Sequence, residues 1–261
     1  MHHFFSWLTG TAVAGYVIWE VKKMYRNYPQ LKQAIANGDP EARPRFYLRI
    51  LRFEWVSALL ALVALGFDKT KLMAASLQLG DTAFGHWVAA SSVIDSSAIA
   101  GIAAGLLIGL VVMIVVRLRA RRRAPAPSDG GTKPWWRKLV PDFAALIPTT
   151  GRERLLFAVL AVSAGICEEI VFRGSLLYAL HNPFGFGGTT LILLASAIFG
   201  MCHVYPGVTG VVATTLAGVL LCALYVATGT LLVPIILHSL IDLRMAILPA
   251  GALQIPRAQP A

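Results

Sequence analysis

Ser97 to Val116 is a run of twenty residues without a charge, long enough for one helix to cross a bilayer core, which takes about 20 apolar residues. Six other stretches approach that length: Phe4 to Trp19, about Phe46 to Phe67, Leu155 to about Leu180, Thr189 to His203, Val208 to Thr228 and Thr230 to about Leu248. Seven such runs, or eight if Ala83 to Ile94 enters the membrane, predict an all-α polytopic helix bundle. Gly101, Gly105 and Gly109 recur every four residues, a spacing that lets helices approach closely. The chain is 57% hydrophobic and 14% charged, against about 25% charged in a soluble domain, and its mean hydropathy is +0.67. That balance excludes a disordered chain and a disulfide-stapled secreted fold. Met1 to Phe5 lacks the basic stretch of a cleavable signal peptide. No internal repeat is visible.

A net charge of +10 on so apolar a chain needs an explanation. Eight basic residues, Lys22 to Arg52, lie between the first run and the Val56 to Leu65 core of the second, and ten more, Arg117 to Arg154, between the third and fourth. So 18 of the 23 Lys and Arg fall in two loops that a seven-helix threading places on one side. The positive-inside rule makes that side cytoplasmic, with the amino terminus outside and the carboxyl terminus inside. The loop from Asp68 to Ser96 is then external. Arg117 to Arg123 follows a span directly, as a stop signal does, and suits anionic lipid head groups. The basic charge therefore reads as topology. The expected partner is the lipid bilayer and not a nucleic acid. Ala124 to Pro134, with three prolines and two glycines, reads as a linker; Trp135 and Trp136 beside Arg137 and Lys138 read as an interfacial anchor.

The informative residues are ionisable groups inside apolar runs. Each costs roughly 2.5–3.5 kcal/mol at a helix centre on insertion scales. The fourth run carries Glu168, Glu169 and Arg173 within six residues. Glu169 and Arg173 are i, i+4 and face each other; their plainest role is a clasp that fixes helix packing. Glu168 lies about 100° around the helix and must face something else. The fifth run ends with Phe199 and His203, one turn apart on one face, and the last holds His238 and Asp242 at the same spacing. A lone histidine near a helix end is usually a satisfied interfacial residue, and His238 with Asp242 could be a simple helix-stabilising hydrogen bond. Three apolar helices that each carry a carboxylate or imidazole are different, because burial obliges those groups to find one another. The sum describes a polar, wet cavity holding Glu, His, His and Asp.

A carboxylate removed from water is the stronger base, so a buried glutamate can take a proton from water near neutral pH. One histidine can orient that water and another can donate to a developing oxyanion. Glu168, His203 and His238 would also make a three-ligand zinc site, so a divalent metal stays open although no cofactor is required. HExxH, GxGD and GxSG signatures are absent from the sequence. Cys167 adjoins Glu168 and Cys202 adjoins His203, but these thiols and Cys222 lie in apolar runs, where burial suppresses thiolate reactivity.

The succession Glu168-Glu169-Ile170-Val171-Phe172-Arg173, then Phe199 to His203, then His238 to Asp242 resembles the CPBP family, which comprises the type II CAAX prenyl endopeptidases and the bacteriocin-processing or immunity relatives of bacteria. Phe172-Arg173-Gly174 and the lead-in Pro148-Thr149 to Glu153 are similar to that family too, over about Pro148 to Leu248. The resemblance implies a glutamate-dependent intramembrane endopeptidase in a bacterial inner membrane, cutting membrane-anchored proteins or peptides near their carboxyl ends. Glu168 and His203 would activate water, His238 and Asp242 would support the oxyanion, and Glu169, Arg173 and Phe199 would structure the site. Asp242 departs from a position that is often Asn: it would need a proton to donate, or would hold the tautomer of His238. On this reading residues 1–147 are amino-terminal helices with basic loops, 148–250 the protease core and 251–261 a short tail, with catalysis in the last four helices. A non-catalytic immunity or partner protein and a proton-coupled transporter are the rival readings.

Overall fold

The computed structural model describes residues 2–68, 86, 143–181, 186, 188–205 and 207–247. Ser97 to Val116, Ala83 to Ile94 apart from His86, the Ala124 to Pro134 linker, the Trp135–Trp136 anchor and the tail lie outside the described residues.

Among the described residues all regular structure is helical. The elements are α1 (His2–Ala36), α2 (Ala42–Ala64), a 3-10 turn (Ala144–Leu146), α3 (Gly151–His181), α4 (Gly188–Cys202), α5 (Val208–Thr228) and α6 (Leu232–Ile247). By length and composition α3 and α5 can each cross a membrane. The outward residues of α2 include Val56, Leu59, Leu60 and Val63, an exposed apolar stripe at helical spacing that suits contact with lipid.

The last runs become helices within a few residues of their expected limits, because each apolar stretch ends where hydrogen-bonding side chains or glycines begin. α5 ends on Gly229, whose left-handed backbone (φ 64°) and N–H bond to the Tyr225 carbonyl close the helix. α1 departs from expectation: it continues past Trp19 to Ala36, so Lys22, Lys23, Arg26 and Lys32 lie on a helix and not in a loop. Packing explains this. Trp19 meets Phe53 of α2 with ring centroids 4.8 Å apart, and the Lys23 ammonium lies over the Phe53 ring. Met24, Tyr28 and Leu31 then join Phe46, Tyr47, Phe157 and Leu160 in one buried cluster.

α3 is the central post, with α2 and α6 against it, while α4 pairs with α5. Its start is fixed by a capping box: Thr150 Oγ1 accepts from the Glu153 N–H at 3.1 Å, and Glu153 Oε2 accepts from the Thr150 N–H at 3.3 Å and the Thr149 N–H at 2.6 Å. Tyr47 donates to the Leu146 carbonyl at 2.7 Å and Trp55 to Ser163 Oγ at 3.2 Å, tying α2 to the turn and to α3. Arg154 donates to the Ala246 carbonyl at 2.7 Å, joining the start of α3 to the end of α6. Midway, Gly165 lets these two helices nearly touch. A Cβ there would lie 2.8 Å from the Ser239 backbone nitrogen and 3.1 Å from the Ile235 oxygen, and would collide with the Ser239 hydroxyl. Gly165→Ala is therefore expected to force α3 and α6 apart and to cost about 1–3 kcal/mol. Thermal unfolding in detergent, read beside the exposed Gly151→Ala, where a Cβ meets nothing, checks this.

Candidate active site

The α-helical part of α3 ends at Glu169, and the chain continues through a π-helical stretch, Ile170–Leu176, before regaining α geometry at Leu177. Such stretches carry an extra residue per turn and are frequent at functional sites. Arg173 lies within it, 1% exposed, and donates to Glu169 Oε1 at 2.8 Å and to the Gly218 carbonyl of α5 at 3.3 Å. Gly218 also lets α5 pack closely on α4: a Cβ on it would press on Ser196 and Phe199 at 3.1–3.3 Å. Glu169 is fully buried. The expected clasp is present and extends to a third group, for His238 Nδ1 also meets Glu169 Oε1 at 2.8 Å. A carboxylate accepts, so Nδ1 carries the proton and Glu169, not Asp242, holds the tautomer of His238.

Glu168 faces the other way. Its Oε2 is buried, makes no hydrogen bond with the described residues, and lies 3.8 Å from His203 Nε2 and 3.7 Å from His238 Nε2. His203 Nδ1 donates to the Phe199 carbonyl at 2.9 Å, which leaves Nε2 as the ring's acceptor when the imidazole is neutral. Asp242 Oδ2 is 3.7 Å from His238 Nε2. Phe199 packs among all these groups. Its ring centroid is 4.7 Å from that of His203, 5.9 Å from His238 and 5.0 Å from Phe172, with the Arg173 guanidinium 4.6 Å above it. The seven residues singled out by the sequence thus occupy one cluster built from α3, the end of α4, and α6.

A cavity of about 140 Å³ opens on this cluster, roomy enough for water. Glu168, His203 and Asp242 line it, together with three polar residues the sequence reading did not select: Glu54 of α2, Tyr205 and Arg244. Glu54 is 6% exposed and lines the cavity with Glu168. The available signal was an acidic residue inside the second apolar run. Tyr205 follows α4 in a turn, its ring centroid 6.1 Å from His203 and 5.2 Å from Tyr28. Burial pushes its hydroxyl well above the ordinary phenol range, and the Asp242 and Glu168 carboxylates add to this, so it stays a neutral donor.

Among the described residues no group of three or more His, Cys, Asp and Glu side chains is arranged as a metal site. Cys167, Cys202 and Cys222 are all buried, with no disulfide between them.

Residues 150–244 match the family model described as Type II CAAX prenyl endopeptidase Rce1-like, the family that the three motifs resemble. The match begins at the Thr150 cap and ends at Arg244, a little over a third of the chain. It encloses every motif residue and leaves α1, α2 and Glu54 outside. A match to that family implies a membrane-embedded protease and endopeptidase activity in general. No curated protein and no solved structure matches the chain.

Proposed function

With its α3–α6 segment matched to the type II CAAX prenyl endopeptidases, we propose that this chain hydrolyses peptide bonds near the carboxyl ends of membrane-tethered proteins or peptides, by a glutamate-activated water and without a metal. One observation carries the reading: a buried carboxylate oxygen, Glu168 Oε2, has no hydrogen bond from the described residues and looks at two imidazole nitrogens 3.7–3.8 Å away. Atoms at that separation can both bind a single water set off the line between them at ordinary hydrogen-bond length.

Amide hydrolysis needs three services, and the cluster offers each. Glu168 takes a proton as the water attacks the carbonyl carbon, while His203, an acceptor at Nε2, orients the second O–H. The oxyanion that develops is held from the α6 side, by His238 when its Nε2 is protonated and by Asp242 when it carries a proton. Glu168 then returns its proton to the departing amine, so no proton is gained or lost by the protein over the cycle. The bond between carbonyl carbon and nitrogen breaks in that step. Glu169, Arg173 and Phe199 touch no substrate; they hold His238 and Glu168 in register. Prenylated carboxyl-terminal segments and sortase-like removal of an anchor both fit this chemistry, in a multi-pass protein of a bacterial inner membrane.

The test uses purified full chain in detergent and a fluorogenic, prenylated peptide ending in a CAAX box. His203→Ala is expected to lower kcat by about 10²-fold, with KM little changed because the imidazole contacts the water and not the peptide. Dialysis against a chelator is expected to leave the wild-type rate intact. Loss of activity on dialysis and its return with zinc would replace the metal-free mechanism by a metal-dependent one. A rate unchanged in His203→Ala would remove that residue from the chemistry.

A further inference from the structure

One face of α2 carries, at alternating steps of four and three residues, Arg45, Arg49 and Arg52 and then Val56, Leu59 and Val63. That spacing sets them in a single row along the helix, half a turn round from Glu54 and the cavity it lines. Every side chain in the row is exposed. Beside it, between α2 and α1, lies a groove of about 540 Å³ lined by the three arginines and by Trp19, Phe53 and Val56. Lys23 backs its aromatic wall, with the ammonium 3.0 Å from the Phe53 ring centroid and 4.9 Å from that of Trp19. The nearby acids are engaged elsewhere: Asp39 pairs with Arg45, Glu41 with Arg152, and Glu54 is buried on the far face. Arg49 and Arg52 have no hydrogen-bond or ion-pair partner among the described residues. Like charges three and four residues apart on a helix repel, and an anion set between them relieves that repulsion.

We propose that this groove binds an anionic phospholipid, its phosphate held between Arg49 and Arg52 and an acyl chain running along Val56, Leu59 and Val63. Charge and shape both select that occupant. Guanidinium forks match phosphate oxygens two at a time, and the row changes once from cationic to aliphatic, as a phospholipid changes from headgroup to tail. The rise from Arg52 to Val63 is about 16 Å, close to half of a hydrocarbon core about 30 Å thick, so the aliphatic stretch suits a tail confined to one leaflet. Trp19, half-exposed beside the arginines, is the amphipathic ring that favours headgroup level. A free phosphate would use the arginines and leave the aliphatic row without a role. The positive-inside orientation puts this end of α2 at the cytoplasmic leaflet, where basic side chains beside a span meet anionic lipid. The site lies outside the matched segment and takes no part in the proposed hydrolysis.

The test uses delipidated full chain in a non-ionic detergent. Native mass spectrometry counts the lipid bound on titration with phosphatidylglycerol, with phosphatidylcholine and inorganic phosphate for comparison. Three double variants are set beside wild type: Arg49→Gln with Arg52→Gln, Leu59→Ser with Val63→Ser, and Arg119→Gln with Arg121→Gln from the basic run that follows Ser97 to Val116. Wild type is expected to hold one phosphatidylglycerol in preference to phosphatidylcholine. The Arg49 and Arg52 pair should weaken that binding about thirtyfold, the contribution of two basic contacts. The Ser pair should weaken it less, and the Arg119 and Arg121 pair should leave it unchanged. Without lipid the α2 variants should melt with wild type, because the substituted side chains are exposed. Equal retention of the two lipids, wild-type affinity in the Arg49 and Arg52 pair, or an equal loss in the Arg119 and Arg121 pair would each overturn the assignment. So would displacement of phosphatidylglycerol by inorganic phosphate at equal concentration, or wild-type affinity in the Ser pair; either would leave an anion site that is not a lipid site.

Discussion

Glu168→Gln is expected to lower kcat on the prenylated peptide by about 10²–10⁴-fold, the range a positioned general base supplies, while the protein folds as well as wild type. The substitution keeps the size of the side chain and exchanges a buried carboxylate for an amide. It removes the atom that accepts the water's proton and disturbs little else, since Oε2 makes no hydrogen bond with the described residues. Stability should hold or rise, because a neutral amide is cheaper to bury than a carboxylate. That combination, lost rate with retained fold, separates a catalytic glutamate from a structural one. A clasp residue would behave in the opposite way.

Arg173→Met is that opposite case, and it has the second large expected effect. Arg173 and Glu169 are 1% and 0% exposed. Removing the guanidinium leaves Glu169 buried without its cation, and breaking a buried pair from one side costs about 3–5 kcal/mol. The loss reaches further here, because the same Glu169 oxygen holds His238 Nδ1 and Arg173 also ties α3 to the Gly218 carbonyl of α5. Arg173→Met should therefore give much less folded protein and a Tm lower by many degrees. The double variant Glu169→Gln with Arg173→Met should recover part of that stability, since no charge is left alone. It should not recover activity, since the carboxylate that fixes His238 Nδ1 is gone. Melting curves and rates of the wild type, the single and the double variant in one detergent check the pattern. Equal Tm in all three would mean that the clasp contributes nothing.

These contrasts explain which parts of the molecule the sequence made legible. Helix type and limits were readable in α5, where twenty-one residues, mostly small or branched and none charged, end at a glycine able to adopt positive φ. The motif residues were readable because burying charge is costly: Glu168, Glu169, Arg173, His203, His238 and Asp242 stand out against apolar neighbours, and i, i+4 spacing alone placed Glu169 opposite Arg173. The extension of α1 to Ala36 was not readable, because it depends on Trp19 and Lys23 finding Phe53 on another helix. Nor was the π-helical stretch, whose residues, Ile170 to Leu176, carry no mark that separates them from ordinary helix. Glu54 escaped for a different reason. Only the packing of α2 on α3 brings it to the cavity that Glu168 lines. The partner of Glu169 followed the same rule: spacing supplied Arg173, while His238, sixty-nine residues away, came from the tertiary fold.

The most direct test of a glutamate-activated water is cleavage of the prenylated CAAX peptide in ¹⁸O-labelled water, with products weighed by mass spectrometry. Three proteins are compared: wild type, Glu168→Gln, and a variant with Cys167, Cys202 and Cys222 all changed to alanine. Cleavage with one ¹⁸O in the new carboxylate is expected for wild type and the cysteine-free variant, and intact peptide with Glu168→Gln. Cleavage by Glu168→Gln at the wild-type rate, or its loss on removing the cysteines from a protein that still folds, would contradict it.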